Sequence, residues 1–161
     1  MRVLFVDDEL DFLATLIKRL TRRGISAVGV GTGEEALTRM AQQTPNQEFD
    51  VVVLDVRMPG MGGLAALSEL RARYPLTPVI MLTAHADMQD AMAGLERGAF
   101  CYLLKPVDLD TLLWRIQDAH REKVLLLEGR ETGKTCPHTR KDVMDSSAME
   151  LKQRKNKEKQ E

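Results

Sequence analysis

Aromatic residues are scarce in this chain. One Trp, two Tyr and four Phe make up 4% of 161 residues, so the core must be mostly aliphatic. Cysteine is nearly absent. Cys101 and Cys136 are the only two, which excludes a disulfide scaffold and suits a cytoplasmic setting. No apolar run approaches the roughly 20 residues of a membrane helix. The opening run Val3–Val6 meets Asp7, Asp8 and Glu9 at once, so it does not read as a signal peptide either. Charge of one sign is lacking too: 23 basic residues face 24 acidic ones, which argues against a protein coated in nucleic acid.

What the chain does have is 43% hydrophobic residues, enough for a core, in a length that suits one domain with an appendage. Short, mostly β-branched runs recur at Val3–Val6, Ala27–Val30, Val51–Leu54, Val79–Leu82 and Tyr102–Leu104. They do not alternate, which is how strands read when both sheet faces are covered. Amphipathic stretches lie between them. Leu13, Leu16, Ile17 and Leu20 share one helix face, as do Met88, Ala91, Met92 and Leu95, and Leu109, Leu112, Leu113 and Ile116. Thr32 and Glu35 have the spacing of a capping box, and a further helix is expected over 63–74, stopping before Pro75. Five strands alternating with five helices predict an α/β fold, a doubly wound parallel sheet. Its binding crevice lies beyond the carboxyl ends of the strands.

After about Glu122 the pattern changes. Ile116, His120, Val124 and Leu127 keep one face, so the last helix is expected to extend that far, and Gly129, Gly133 and Pro137 then punctuate a polar stretch. From Arg121 onward 11 basic residues face 8 acidic, whereas the first 120 residues hold 12 basic and 16 acidic. The expected organisation is a domain over 1–123, then a helix extension and mobile charged tail over 124–161.

The chemistry gathers at strand ends. Asp7 and Asp8 follow the first strand and Asp55 the third. Like charges ~4 Å apart repel by about 4 kcal/mol at an effective dielectric of 20. Three carboxylates there call for a cation or a proton, and a hard divalent ion with oxygen ligands, Mg²⁺, answers best where a phosphoryl group completes its shell. Thr83 ends the fourth strand with a hydroxyl, and Lys105 ends the fifth with an ammonium. Carboxylate nucleophile, hard metal, lysine and hydroxyl in one cleft suit phosphoryl transfer. Each residue alone is more often a helix cap, a turn residue or a solvated charge. It is their joint placement that favours function.

Val-Asp-Asp-Glu at 6–9, Leu-Asp-Val-Arg-Met-Pro-Gly-Met-Gly-Gly at 54–63, Met-Leu-Thr-Ala at 81–84 and Gly-Ala-Phe-Cys-Tyr-Leu-Leu-Lys-Pro at 98–106 closely resemble the receiver domain of two-component response regulators. The resemblance covers residues 1 to about 123. It implies a flavodoxin-like sheet of order 2-1-3-4-5. Asp55 would accept a phosphoryl group from a sensor histidine kinase or phosphotransfer protein. Asp8, Asp55 and the Arg57 carbonyl would bind Mg²⁺, with Asp7 helping through water. Lys105 would pair with the phosphoryl oxygens, Thr83 and Tyr102 would form the switch, Arg57 and His85 would tune the lifetime, and the Lys105–Pro106 bond would be cis.

Output is expected to be protein–protein, toward a downstream protein the sequence does not name, with no membrane and no direct nucleic-acid contact. A DNA-binding transcriptional regulator is the alternative, with this chain as its N-terminal receiver fragment. An Asp phosphatase of the haloacid dehalogenase kind needs a second Asp where Arg57 stands, so only self-phosphorylation and self-dephosphorylation are expected. Cys101 reads as a buried structural thiol. Cys136 and His138 are too little for a metal site. Gly129–Thr135 imitates a P-loop, but the first required glycine is Glu128.

Overall fold

A computed structural model of the chain describes residues 1–84 and 88–132. The elements alternate strictly. They are β1 (Arg2–Val6), α1 (Leu10–Thr21), β2 (Ser26–Val30), α2 (Gly33–Ala41), β3 (Val51–Leu54), α3 (Gly63–Arg73), β4 (Val79–Thr83), α4 (Met88–Glu96), β5 (Cys101–Leu104) and α5 (Leu109–Thr132). The sheet runs β2-β1-β3-β4-β5, and every pairing is parallel. This is the expected doubly wound, flavodoxin-like architecture with five helices.

Alternate strand residues feed two cores. Val3, Phe5, Val53 and Ile80 pack with α1 and α5 on one face. Leu4, Val52, Leu54 and Met81 pack with α2, α3 and α4 on the other. The central strands β3 and β4 are buried throughout and apolar up to Thr83, because both their faces are covered. Leu13, Leu16 and Leu20 anchor α1, each burial contributing about 2 kcal/mol.

Four expectations need correction. The edge strand β2 is only partly covered, with Ser26 exposed and Val30 its one buried residue. On α4, Met92 is 56% exposed, and Ala91 and Gly94 form the buried row instead. In α5 the buried row is Leu112, Ile116, Ala119 and Lys123, whereas Val124 and Leu127 are exposed. Lys123 can be buried because its ammonium donates to the Phe49 carbonyl at 3.0 Å, with Asp50 Oδ1 at 3.7 Å. Helix α5 also passes through Gly129 to Thr132 without a break, so the glycine does not end it. The expected mobile tail lies outside the described residues beyond Thr132.

The α2 cap follows the expected spacing with one change. Thr32 Oγ1 accepts from the Glu35 N–H at 3.2 Å, but the Glu35 carboxylate accepts from the Gly31 N–H at 2.9 Å rather than from Thr32.

Candidate functional site

The site forms where β1 and β3 end side by side. The Asp7 N–H donates to the Val30 carbonyl at 3.1 Å and the Asp55 N–H to the Val6 carbonyl at 2.9 Å. Each strand ladder therefore continues one residue into the site and orients its aspartate. Asp7 Oδ1 then accepts from the Glu9 N–H at 2.9 Å, a short Asx-type turn that leads into α1. Asp7 and Asp55 are buried and Asp8 is exposed. One carboxylate oxygen from each lies within 4.8 Å of the others.

Lys105, at the end of β5, reaches into this cluster. Its ammonium lies 2.6 Å from Asp7 Oδ2, 2.9 Å from Glu9 Oε1 and 3.7 Å from Asp55 Oδ2. The Phe12 ring also lies under it, with 4.5 Å from the ammonium to the centroid. Burial pushes the Asp7 carboxyl above its ordinary value, although the Lys105 hydrogen bond opposes this. Burial alone would lower the Lys105 pKa. The hydrogen bonds to Asp7 and Glu9 and the charges of Asp7 and Asp55 outweigh it and raise the ammonium above its ordinary value. The two directions are compatible: one lysine does not neutralise this much buried negative charge.

The cluster suits a hard divalent ion. Its donors are all oxygen, two are buried, and their summed negative charge exceeds what Lys105 offers. Thr83 is fully buried at the end of β4, and Tyr102 is buried in the core on the α4 side of the sheet. The Lys105–Pro106 bond is cis, as expected. Cys101 is fully buried, which agrees with a structural thiol. His85 lies outside the described residues.

The loop after Asp55 is shaped from two sides. A Cβ built on Gly63 would come 1.9 Å from the Asp55 carbonyl oxygen, so only glycine lets α3 begin so close to the site. From α2, the Glu34 carboxylate accepts from the Met61 N–H at 3.0 Å. Sequence reasoning assigned no role to Glu34, nor to Glu9 as a partner of Lys105. Glu9 stands two residues after Asp7 in the acidic run, which was a signal. Glu34 meets Met61 across 27 residues, and no sequence spacing reports such a contact.

The pattern of the response regulator receiver domain matches residues 3–117. The chain is 42% identical over 105 residues to the DNA-binding transcriptional regulator NtrC of Klebsiella pneumoniae, covering 65% of this chain and 22% of that protein. It thus spans about a quarter or less of the length of such relatives. A response regulator receiver domain protein from Clostridium thermocellum superposes with a TM-score of 0.72 at 32% identity, over 78% of this chain and 98% of that one. A response regulator from Burkholderia pseudomallei, solved with a phosphorylated aspartic acid, a calcium ion and citrate, superposes with a TM-score of 0.66 at 27% identity, over 81% and 74%.

Proposed function

The chain belongs to the response regulator receiver family, and on that premise we propose that Asp55 is the phosphoacceptor of a two-component phosphorelay. The observation that carries the reading is the meeting of Asp7, Asp8, Asp55 and Lys105 at one sheet edge. The solved Burkholderia relative, which holds a phosphorylated aspartic acid and a calcium ion, supports it.

The donor is a phosphohistidine on a sensor histidine kinase or phosphotransfer protein. An Asp55 carboxylate oxygen attacks phosphorus, the P–N bond breaks, and its electron pair leaves on the imidazole. Asp8, Asp55 and the Arg57 carbonyl would hold Mg²⁺, with Asp7 acting through water. When bound, Mg²⁺ neutralises the carboxylates and the transferring oxygens. Lys105, already 3.7 Å from Asp55 Oδ2, follows the new charge onto the phosphoryl oxygens. The Thr83 hydroxyl donates to the same oxygens, and Tyr102 turns with it. Arg57 and His85 are assigned to tuning its lifetime. Residues 1–123 carry this chemistry, and no reaction beyond gain and loss of the phosphoryl group is assigned to them.

Output runs to a downstream protein. A second reading, the receiver of a longer DNA-binding transcriptional regulator, is favoured by the relatives the chain matches, which are DNA-binding transcriptional regulators. The two readings use the same site.

Acetyl phosphate with Mg²⁺ should add one phosphoryl group by intact mass, EDTA should suppress the gain, and Asp55→Asn should abolish it. Labelling of Asp55→Asn at the wild-type rate would overturn the assignment.

A further inference from the structure

Arg57 faces two ways. Its backbone N–H points to the site, with 3.4 Å between the nitrogen and Asp55 Oδ1. Its side chain turns instead to α4, where Nη2 lies 3.7 Å from Asp90 Oδ2. The arginine side chain is 52% exposed and that of Asp90 27%. Asp90 stands in the first turn of α4, where a carboxylate complements the positive end of the helix. One guanidinium therefore ties the loop that carries the site to the opening turn of α4.

The apolar face that seats helix α4 is thin. Among its described side chains, the buried positions are only Ala91 and Gly94, and small residues contribute little apolar area. Its far end is pinned separately. Arg97, just past the helix, donates to the Leu64 carbonyl at 3.2 Å and to Ser68 Oγ at 3.3 Å, both on α3. A helix fixed by polar contacts at its ends, over a thin apolar face, is a low-stability element that small energies move. Of these contacts, Arg57–Asp90 is the one that originates in the site loop.

A phosphoryl group on Asp55 carries about two negative charges where the carboxylate carried one, and it sets three acceptor oxygens beside the Arg57 backbone. A guanidinium prefers such a group to Asp90, because the phosphoryl group carries more negative charge and the Asp90 contact is a single one at 3.7 Å. We propose that Asp90 is a positioning residue for Arg57 and that their ion pair is a latch on α4. In the unphosphorylated protein it holds the first turn of α4 to the β3–α3 loop, and a phosphoryl group on Asp55 draws the guanidinium off Asp90 and releases that turn. The inference rests on the reading of Asp55 as phosphoacceptor. Linkage makes it quantitative: an ion pair that breaks when the phosphoryl group arrives must oppose its binding, and removing Asp90 must strengthen that binding. The pair is partly exposed, so it biases the equilibrium by about two- to fivefold.

Beryllofluoride with Mg²⁺ is the probe, titrated into the wild type, Asp90→Asn, Arg57→Gln and the double variant. Arg57→Gln keeps the backbone carbonyl assigned to the metal. Asp90→Asn should bind the probe about two- to fivefold more tightly and Arg57→Gln more weakly. Asp90→Asn should have no effect once Arg57 is Gln. In probe-free protein, amides of 89–91 should exchange faster in both single variants than in the wild type. An Asp90→Asn effect of the same size in the Arg57→Gln background would be plain charge repulsion and would overturn the latch, as would no effect in the wild type. Probe binding that survives Asp55→Asn would instead overturn the phosphoacceptor reading. Binding that needs Asp55 but shows no coupling between Arg57 and Asp90 would overturn the latch alone.

Discussion

Lys105 Nζ lies 2.6 Å from Asp7 Oδ2 but 3.7 Å from Asp55 Oδ2, so the lysine rests on Asp7 rather than on the proposed phosphoacceptor. Asp7 is buried and Lys105 nearly so, with 5% and 10% of their side chains exposed. Removing one partner of such a pair leaves an uncompensated charge. Lys105→Met should therefore destabilise the metal-free protein by roughly 3 kcal/mol. Mg²⁺ should restore more stability to the variant than to the wild type, because it supplies the missing positive charge. Urea unfolding in EDTA and in Mg²⁺ measures both. Equal Mg²⁺ stabilisation of the two proteins would contradict this account.

Gly63 sets the distance between α3 and the site. An added Cβ would meet the Asp55 carbonyl oxygen at 1.9 Å and the Val56 Cα at 2.7 Å. Both are backbone atoms, which cannot swing aside as a side chain would. Gly63→Ala should cost roughly 2–4 kcal/mol. It should also slow phosphorylation, because the strain falls on the Asp55 peptide. Thermal unfolding and the rate of mass gain with acetyl phosphate test the two effects. A variant with wild-type stability would show that α3 shifts freely.

The sheet and the site were legible in the sequence for a local reason. Short β-branched runs and their terminal charges carry their own signal, and parallel topology brings the ends of β1, β3, β4 and β5 to one edge. Helix faces were less legible. Met92 fits the apolar spacing of α4 yet faces outward, because periodicity reports which residues share a face and not which face meets the sheet. Lys123 is the converse case. A lysine ordinarily faces solvent, and the Phe49 carbonyl, 74 residues away, with the Asp50 carboxylate beside it, explains its burial. Arg57–Asp90 and Glu34–Met61 were equally invisible, since each depends on how a helix sits against the site loop once the fold exists.

Asp108 caps α5. Its Oδ1 accepts from the Thr111 N–H at 2.8 Å, and its Oδ2 accepts from the Thr111 hydroxyl. The Thr111 hydroxyl and N–H hold its carboxyl below the ordinary value of 3.8. A carboxylate with a depressed folded pKa stabilises the fold above the unfolded value, and the benefit disappears as pH falls through the folded one. Asp108→Ala should therefore lower the unfolding temperature at neutral pH, and the gap from the wild type should close as pH drops below 3.8. A gap that does not vary with pH would mean that the charge of the cap is irrelevant.

Thr83 is fully buried at the end of β4, and on the same side of the sheet Tyr102 faces α4, where a Cβ on Gly94 would lie 3.9 Å from the Tyr102 ring. A hydroxyl bond made to the phosphoryl group in one state only is worth about 1 kcal/mol, roughly a fivefold bias between states. Thr83→Ala should leave Asp55 open to phosphorylation, because the hydroxyl takes no part in attack on phosphorus. It should weaken the coupled change over Met88–Leu95 and at Tyr102, and NMR shift changes on adding beryllofluoride with Mg²⁺ report that region directly. If the variant gives the full wild-type response there, Thr83 is not the relay. The signal must then leave the site through Lys105 or Arg57, and the Asp90→Asn variant separates those two routes, because only Arg57 has Asp90 as a partner.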